Sequence, residues 1–425
     1  MKIAILGAGL AGLSSGFTLI KDGHDIEIFE TQNTIGGLAK SVIFEGCTFD
    51  IGPHRFHSKN KDLIKRINKI VSLDVKKRIS HIYLKNKLVE YPLTSTSMLS
   101  LPFLTSLNIG LDYLKTKLNP FKIDDSFETW VKNRFGKKMY EIYFGPYTEK
   151  VWGLKPSLIS QDWAIQRIGL FSLWDAVKNI LFKTEDTPRT YVSKFYYPKE
   201  GGIGKIAKGL VENLESGGGK IHLNKTVGMG FLKNRKKYDF IISTIPITQL
   251  LKVDLKYRAL ILLDLILKED IEIEDMWLYF PEKNFIFNRV SFPKKFNKNN
   301  IVDDKYTACV EIACNFNDKF WNAKKKVLEQ LVIRDLEKTG LISKEQIESS
   351  NIIKEKFAYP VYDLNYKIKL ERAKEIITKM KNVILLGRNG LFTYNNMDHS
   401  IEAGFKIKEF IKGFDIKIEK GEYFG

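Results

Sequence analysis

The sequence predicts an α/β protein in which a parallel sheet is interrupted by a second unit of mixed helix and antiparallel sheet. Three observations carry this reading. The chain opens on a short apolar run, Lys2–Leu6, followed at once by a glycine turn and an apolar helical stretch. Similar buried-strand signals return far downstream, at Lys220–Asn224, Tyr238–Thr244 and Val383–Leu386. Between them lie an aromatic-rich stretch with helical periodicity and a group of antiparallel strand signals. At 425 residues the chain is long enough for two cores.

Taken in order, Lys2–Leu6 reads as a buried strand, Ala11–Asp22 as a helix and Ile26–Glu30 as a second strand, which makes one βαβ unit. Tyr83–Tyr91 alternates around Lys85-Asn86-Lys87 and predicts a hairpin. Ser100–Lys183 predicts a helical layer. Leu260–Leu267 fits either strand or helix. Trp277–Phe280, Phe285–Val290 and Thr307–Phe316 predict strands of an antiparallel sheet. Lys324–Glu337 predicts an amphipathic helix and Ile401–Lys412 a closing one. The expected division is a discontinuous nucleotide-binding domain, residues 1–75, 198–247 and 352–425, with a substrate domain of residues 76–197 and 248–351.

Composition narrows the class. With 44% hydrophobic and 28% charged residues, the chain has the make-up of an ordinary globular protein. Its net charge of +18 favours anionic partners and admits weak association with a membrane surface. The lysines are scattered, and no nucleic-acid-binding motif is present. Cys47, Cys309 and Cys314 are odd in number and form no C-x-x-C pair, which argues against a disulfide framework or a metal site and fits a reducing cytoplasm. The apolar first twenty residues resemble a signal peptide, but the spacing of Gly7, Gly9 and Gly12 reads better as a nucleotide loop. No other apolar stretch is long enough to span a membrane.

Gly7-Ala8-Gly9-Leu10-Ala11-Gly12 is a G-x-G-x-x-G between a strand and a helix. Gly7 permits the tight turn, Gly9 lets the backbone approach a pyrophosphate, and Gly12 lets helix and strand pack closely. The helix N-terminus then offers free N–H groups to phosphate. Glu30, ending the second strand, is placed to accept hydrogen bonds from ribose hydroxyls. Gly36-Gly37 follows at the spacing of FAD proteins, so the expected cofactor is FAD on a Rossmann-type domain.

Further segments carry a family resemblance. Asp50-Ile51-Gly52-Pro53-His54-Arg55-Phe56-His57-Ser58 resembles the G-P-H-I-F-H-T segment of bacterial UDP-galactopyranose mutases. Tyr147-Thr148-Glu149-Lys150-Val151-Trp152 resembles their Y-T-x-K-Q-W, and Gly387-Arg388-Asn389-Gly390, with Tyr394 and Met397-Asp398, resembles their G-R-x-G…Y-x-D-M-D. The wider grouping holds protoporphyrinogen-oxidase-like, phytoene-desaturase-like and amine-oxidase-like flavoproteins. Ser126–Trp174 is more similar still to bacterial relatives linked to surface-polysaccharide synthesis. The resemblance implies that His54 lies beside the flavin ring and that Val227 meets the adenine through its backbone. It implies that Ile242–Pro246 closes a second FAD contact. Arg388, Met397 and Asp398 would reach the flavin and ribityl chain, with a helix N-terminus favouring negative charge there. Tyr147, Trp152 and Tyr394 would face a small-molecule substrate, and His54 or Tyr394 would move a proton.

Departures accompany the matches. Phe171 and Ile261 stand where the mutases carry arginines that clamp a diphosphate, and Asn396 replaces a carboxylate. Arg167, Arg258 and Arg289 remain as substitute donors. Two reactions stay open: an FAD-dependent oxidation of an activated sugar or glycan intermediate, and a redox-neutral pyranose–furanose mutation of a nucleotide sugar. A flavin-sensing protein without turnover is a third reading, favoured by nothing in the sequence. The oligomeric state is not encoded in any motif.

Overall fold

The computed structural model describes residues 1–91, 102–121, 123–168, 193–302 and 305–412. The apolar run Lys2–Leu6 is a strand at the centre of a five-stranded sheet, and its Ile3–Leu6 are fully buried. The order across the sheet is Val383–Leu385, Phe240–Ser243, Lys2–Leu6, Asp25–Phe29 and Lys220–His222, with every neighbour pair parallel. A strand covered on both faces needs apolar residues throughout, which is why this one reads as a continuous run. The helix Leu10–Ile20 packs against the helices Lys205–Ser216 and Met397–Phe405. Because the strands are parallel, the loops after Leu6, Phe29, Ser243 and Leu385 all leave from one edge of the sheet.

The second sheet has seven strands, in the order Ile347–Pro360, Tyr257–Leu267, Tyr306–Cys314, Arg289–Ser291, Trp277–Tyr279, Ser80–Leu84 and Lys87–Glu90. It is antiparallel except where Trp277–Tyr279 runs parallel to Ser80–Leu84. The ambiguous stretch Leu260–Leu267 is a strand. Leucine favours helix, but pairing on both edges overrides that preference. Its side chains alternate: Ile261, Leu263, Leu265 and Leu267 enter one core, while Leu262 and Ile266 enter another with Cys47, Phe49 and Cys309.

The hairpin is present, with Lys85 and Asn86 both at positive φ (51° and 59°), a primed turn that matches strand twist. Two expectations change. The segment Phe285–Val290 is not a strand over its length, and pairing begins at Arg289. Before it, the carbonyls of Phe280, Glu282 and Phe287 accept from Nζ of the half-buried Lys150. The closing helix Ile401–Lys412 is two helices, Met397–Phe405 and Ile407–Ile411. The strand Ile347–Pro360 was not anticipated. It is a half-buried edge whose sequence, IESSNIIKEKFAYP, alternates poorly. Within the expected helical layer stand Phe103–Leu118, Phe127–Phe135, Gly145–Trp152 and Gln161–Ile168, while residues 169–183, including Phe171, lie outside the described residues.

Candidate functional site: a glycine cradle facing an arginine–tyrosine cluster

At the loop edge of the parallel sheet, Gly7 (φ 101°) donates its N–H to Phe29 O at 2.8 Å. Gly9 is extended, and a Cβ built on it meets no heavy atom within 4 Å. Gly12 is the opposite case, since its Cβ would lie 2.1 Å from Gly7 O. Gly9 therefore borders empty space at the mouth of the helix Leu10–Ile20, whereas Gly12 is fixed by helix–strand packing. Gly36 bridges to Gly9 and donates to Ala8 O (2.8 Å), and a Cβ on Gly37 would approach Gly9 Cα to 3.2 Å. Thr244 Oγ1 donates to Leu6 O (2.9 Å), and the Cβ of a residue at Gly387 would lie 2.8 Å from Ala11 Cβ. Four loops thus converge on one cradle.

Glu30 accepts from the N–H groups of Ala8 (2.8 Å) and Gln32 (2.9 Å), one on each carboxylate oxygen. A carboxylate has about four acceptor positions, so two remain for a ribose. Lys225 N donates to Glu30 O at 2.8 Å, and from Thr226 the chain lines a shallow cavity of about 610 Å³ that includes Val227, Gly228, Phe231 and Gln249. Lys40, three residues after Gly37, is buried. Its Nζ donates to Gln32 Oε1 (2.6 Å) and pairs with the buried Glu355 of the second sheet's edge strand. These residues fit a dinucleotide: a cradle with room at Gly9, an acidic end at Glu30 and a recess beside Val227.

The far side is built from side chains. Gly52 (φ 75°) turns the chain after the strand Cys47–Asp50, and a Cβ there would come within 2.7 Å of Glu311 Oε2. His54 follows, partly exposed, with its Nδ1 buried and without a hydrogen-bond partner among the described residues. Burial, then the positive charges of Arg388 and Arg289, hold its pKa down at about 3, which favours a neutral ring near pH 7. Beneath it Arg289 Nη2 pairs with Glu311 at 2.5 Å, and Asn288 Nδ2 donates to the other Glu311 oxygen at 2.8 Å. Arg289 Nε is buried and finds no hydrogen-bond acceptor among the described residues.

Two groups of aromatic rings accompany these charges. Tyr147 stacks on Tyr143 (5.9 Å between centroids) and meets Tyr279 edge-on (5.8 Å), which in turn contacts Tyr91 (5.0 Å). Burial pushes the Tyr147 phenol far up, against the pull of Arg289. Arg78 lies over Tyr91 (4.8 Å) and Trp277 (5.0 Å), and Arg55 over Trp277 (4.9 Å). At the other end Arg388 lies over Tyr394 (4.9 Å) and donates through Nε and Nη2 to Asn395 O (3.1 and 2.6 Å). Tyr394 packs on Trp163 (4.8 Å) and Tyr359 (5.6 Å). Trp152 is only 3% exposed, wedged between Trp163, Tyr359 and Tyr394, so its surroundings are those of a core ring behind Tyr394.

The remaining residues fall elsewhere. Asn396 caps the helix Met397–Phe405 and lies 3.5 Å from His57 Nε2. Met397 is buried. Asp398, in the first turn of that helix, is also buried, and burial raises its pKa. Arg167 belongs to the helix Gln161–Ile168, but its side chain lies outside the described residues. Arg258 is spoken for: it donates to Val151 O (2.8 Å), Lys150 O (3.2 Å) and Asn315 Oδ1. Ile261 is fully buried in the core of the second sheet, so the residue type there says nothing about a ligand. Arg55, Arg78, Tyr279, Glu311 and Tyr359 received no role from the sequence. Arg55 could have been flagged, since it stands where the resembled motif carries isoleucine.

Comparison with known proteins agrees with this geometry. Residues 5–69 match the model of the NAD(P)-binding Rossmann-like domain. The 4,4'-diapophytoene desaturase of Staphylococcus aureus (strain COL) is 43% identical over 53 residues, which is 12% of this chain and 11% of the desaturase. The likeness to solved structures extends over the whole chain. Reduced UDP-galactopyranose mutase superposes with a TM-score of 0.82 at 22% identity, covering 96% of both chains. A protein assigned as a protoporphyrinogen oxidase from Exiguobacterium sp. 255-15 gives 0.73 at 15% identity, covering 97% of this chain and 98% of that one. The glycine cradle, the parallel sheet and the mixed sheet are therefore parts of a fold shared with these two structures.

Proposed function

We propose that this chain is an FAD-dependent enzyme of the oxidoreductase type that acts on an anionic small molecule, an activated sugar or glycan intermediate of cell-surface polysaccharide synthesis in the cytoplasm. The observation that carries the cofactor is the space at Gly9, opening on an uncapped helix N-terminus with Glu30 beside it. Residues 1–75, 198–247 and 352–425 form the cofactor domain in this reading, and 76–197 with 248–351 the substrate domain. Gly7, Gly9, Gly12, Gly36 and Gly37 bring backbone to the pyrophosphate, Glu30 takes the ribose, and Val227 takes the adenine. Met397, Asp398 and Arg388 border the flavin end. Bound FAD supplies a two-electron acceptor.

The chain's own residues do the rest. His54, neutral and with a vacant Nδ1, offers a hydrogen bond rather than a charge. Tyr147, its phenol pushed up by burial, keeps its proton; Tyr147 and Tyr394 orient the substrate, and Tyr394 can pass a proton. Arg289 and Arg388 give the pocket the positive potential that an anionic group requires. The substrate class is supported by Arg55 and Arg78 on Trp277, Arg388 on Tyr394, and Arg289, which is paired with Glu311.

Chromatography of acid-released cofactor should give FAD. Recovery of NAD alone, or no binding after incubation with FAD, overturns the assignment. Anaerobic titration with a panel of nucleotide sugars should then bleach the flavin for at least one of them. If the dithionite-reduced enzyme instead converts UDP-galactopyranose to the furanose without net redox change, the reaction is a mutation and the oxidoreductase reading falls.

A further inference from the structure

The helix Phe103–Leu118 lies far from the cradle in sequence and carries an unusual surface. Its inner side buries Ile109, Tyr113 and Thr116. Its outer side exposes Phe103 (78%), Leu104 (69%), Leu107 (47%), Leu111 (57%), Leu114 (57%) and Leu118 (88%). At 100° per residue these six side chains fall within one stripe about 100° wide. Lys115 borders the stripe on one side and Lys117 on the other, both exposed. Phe121 (43%) and Ile123 (67%), just after the helix, are also exposed. A contiguous exposed apolar face of this kind marks an interaction site.

Charge decides what covers it. Asp112 is the helix's only acid, and its carboxylate is turned inward to accept the Lys138 N–H (2.7 Å). The exposed face is therefore leucine and phenylalanine rimmed by lysine, on a chain of net charge +18. The 3-4-3-4 spacing of Leu104, Leu107, Leu111, Leu114 and Leu118 also suits helix pairing. A second copy, however, would bring lysine rims against lysine rims with no acid on the outer side of the helix itself to answer them. An anionic lipid surface answers both features: acyl chains take the leucines, and headgroups take the ammonium groups at the ends of their flexible stems.

We propose that the helix Phe103–Leu118 seats the protein on the surface of an anionic membrane, lying in the interface plane without crossing it. No helix among the described residues is long and apolar enough to cross. The test is sedimentation of the full-length protein with vesicles of phosphatidylcholine alone or mixed with phosphatidylglycerol. Binding is expected only to the anionic vesicles. Leu107→Gln/Leu111→Gln, on exposed positions that leave the core intact, should weaken it at least about tenfold. Lys115→Gln/Lys117→Gln should weaken it less and reduce its dependence on salt. Equal affinity of the leucine variant, or failure of the wild type to bind phosphatidylglycerol vesicles, overturns the proposal. So does a concentration-dependent dimer that the leucine variant loses while vesicle binding is absent, which would assign the face to a second copy.

Discussion

The two walls of the candidate site are made of different material. The cradle wall is backbone: five glycines, amide groups and a helix end, with Glu30 as its main side chain. The opposite wall is large side chains drawn from distant segments, among them Arg78, Tyr147, Tyr279, Arg289, Tyr359 and Arg388. A wall of backbone is shaped by what is missing, so it fails when an atom is added. A wall of side chains is held by mutual contact, so it fails when an atom or a charge is removed.

The sharpest contrast lies within the cradle. Gly12→Val should cost about 1–3 kcal/mol or more, because the backbone must move away from Gly7 O. Its melting temperature and soluble yield should fall together. Gly9→Val should fold with a near wild-type apoprotein melting temperature, since the backbone there is extended and the added atoms meet open space, yet retain no FAD. If Gly9→Val keeps its flavin, the cradle is not the phosphate site.

In the side-chain wall, Arg289→Met should destabilise by about 3–5 kcal/mol, because Glu311, 2% exposed, is left without its cation. Adding Glu311→Gln should recover part of that loss. Thermal melts of the single and double variants check both, and equal melting temperatures would mean that the pair is not coupled.

Asp264 offers an intermediate effect outside both walls. It is fully buried in the strand Tyr257–Leu267, beside Cys309 and Asn351, with neither oxygen in hydrogen-bonding geometry among the described residues. Burial raises its pKa from 3.8 to about 7. The folded state thus holds this proton more tightly than the unfolded chain. The destabilisation is absent below about pH 4, grows as pH rises, and is complete above about pH 7. Asp264→Asn should therefore raise the melting temperature more at pH 8 than at pH 5. An equal shift at both would place the titration elsewhere.

The smallest change is Tyr394→Phe. It removes one hydroxyl while keeping the ring contacts to Trp163 and Tyr359, so FAD content and stability should hold while turnover falls. Trp152→Ala is not an equivalent probe. A buried ring lost there leaves a cavity worth about 3–5 kcal/mol, and any effect on activity would be mixed with unfolding.

These differences also explain what could be read from the sequence. A backbone wall is local, and Gly7 through Gly12 carry it in six consecutive positions, with Glu30 and Gly36 close behind. The central parallel strands Lys2–Leu6 and Phe240–Ser243 were legible because burial on both faces demands uninterrupted apolar runs. The arginine–tyrosine wall is assembled by strand pairing across gaps that run from 22 residues, between Arg289 and Glu311, to the far longer reach from Ser80–Leu84 to Trp277–Tyr279. Nothing near Arg78 announces Trp277, and nothing near Arg289 announces Glu311. Tyr359 was hidden twice, since its edge strand is too exposed to alternate cleanly. Within Phe285–Val290 the strand begins only at Arg289, and Lys150, from a remote helix, takes the Phe287 carbonyl just before it.

The buried pair of Lys40 and Glu355 has a thermodynamic consequence. Lys40 belongs to the loop that includes Gly36 and Gly37, and Glu355 to the edge strand of the other sheet, so the tie spans both halves of the fold. A ligand that binds only the ordered loop adds RT ln(1 + [L]/Kd) to the free energy of whatever melts with it. With this tie in place, that sum is credited to both sheets. One buried core also runs through both sheets, so flavin loading should raise the melting of the two together.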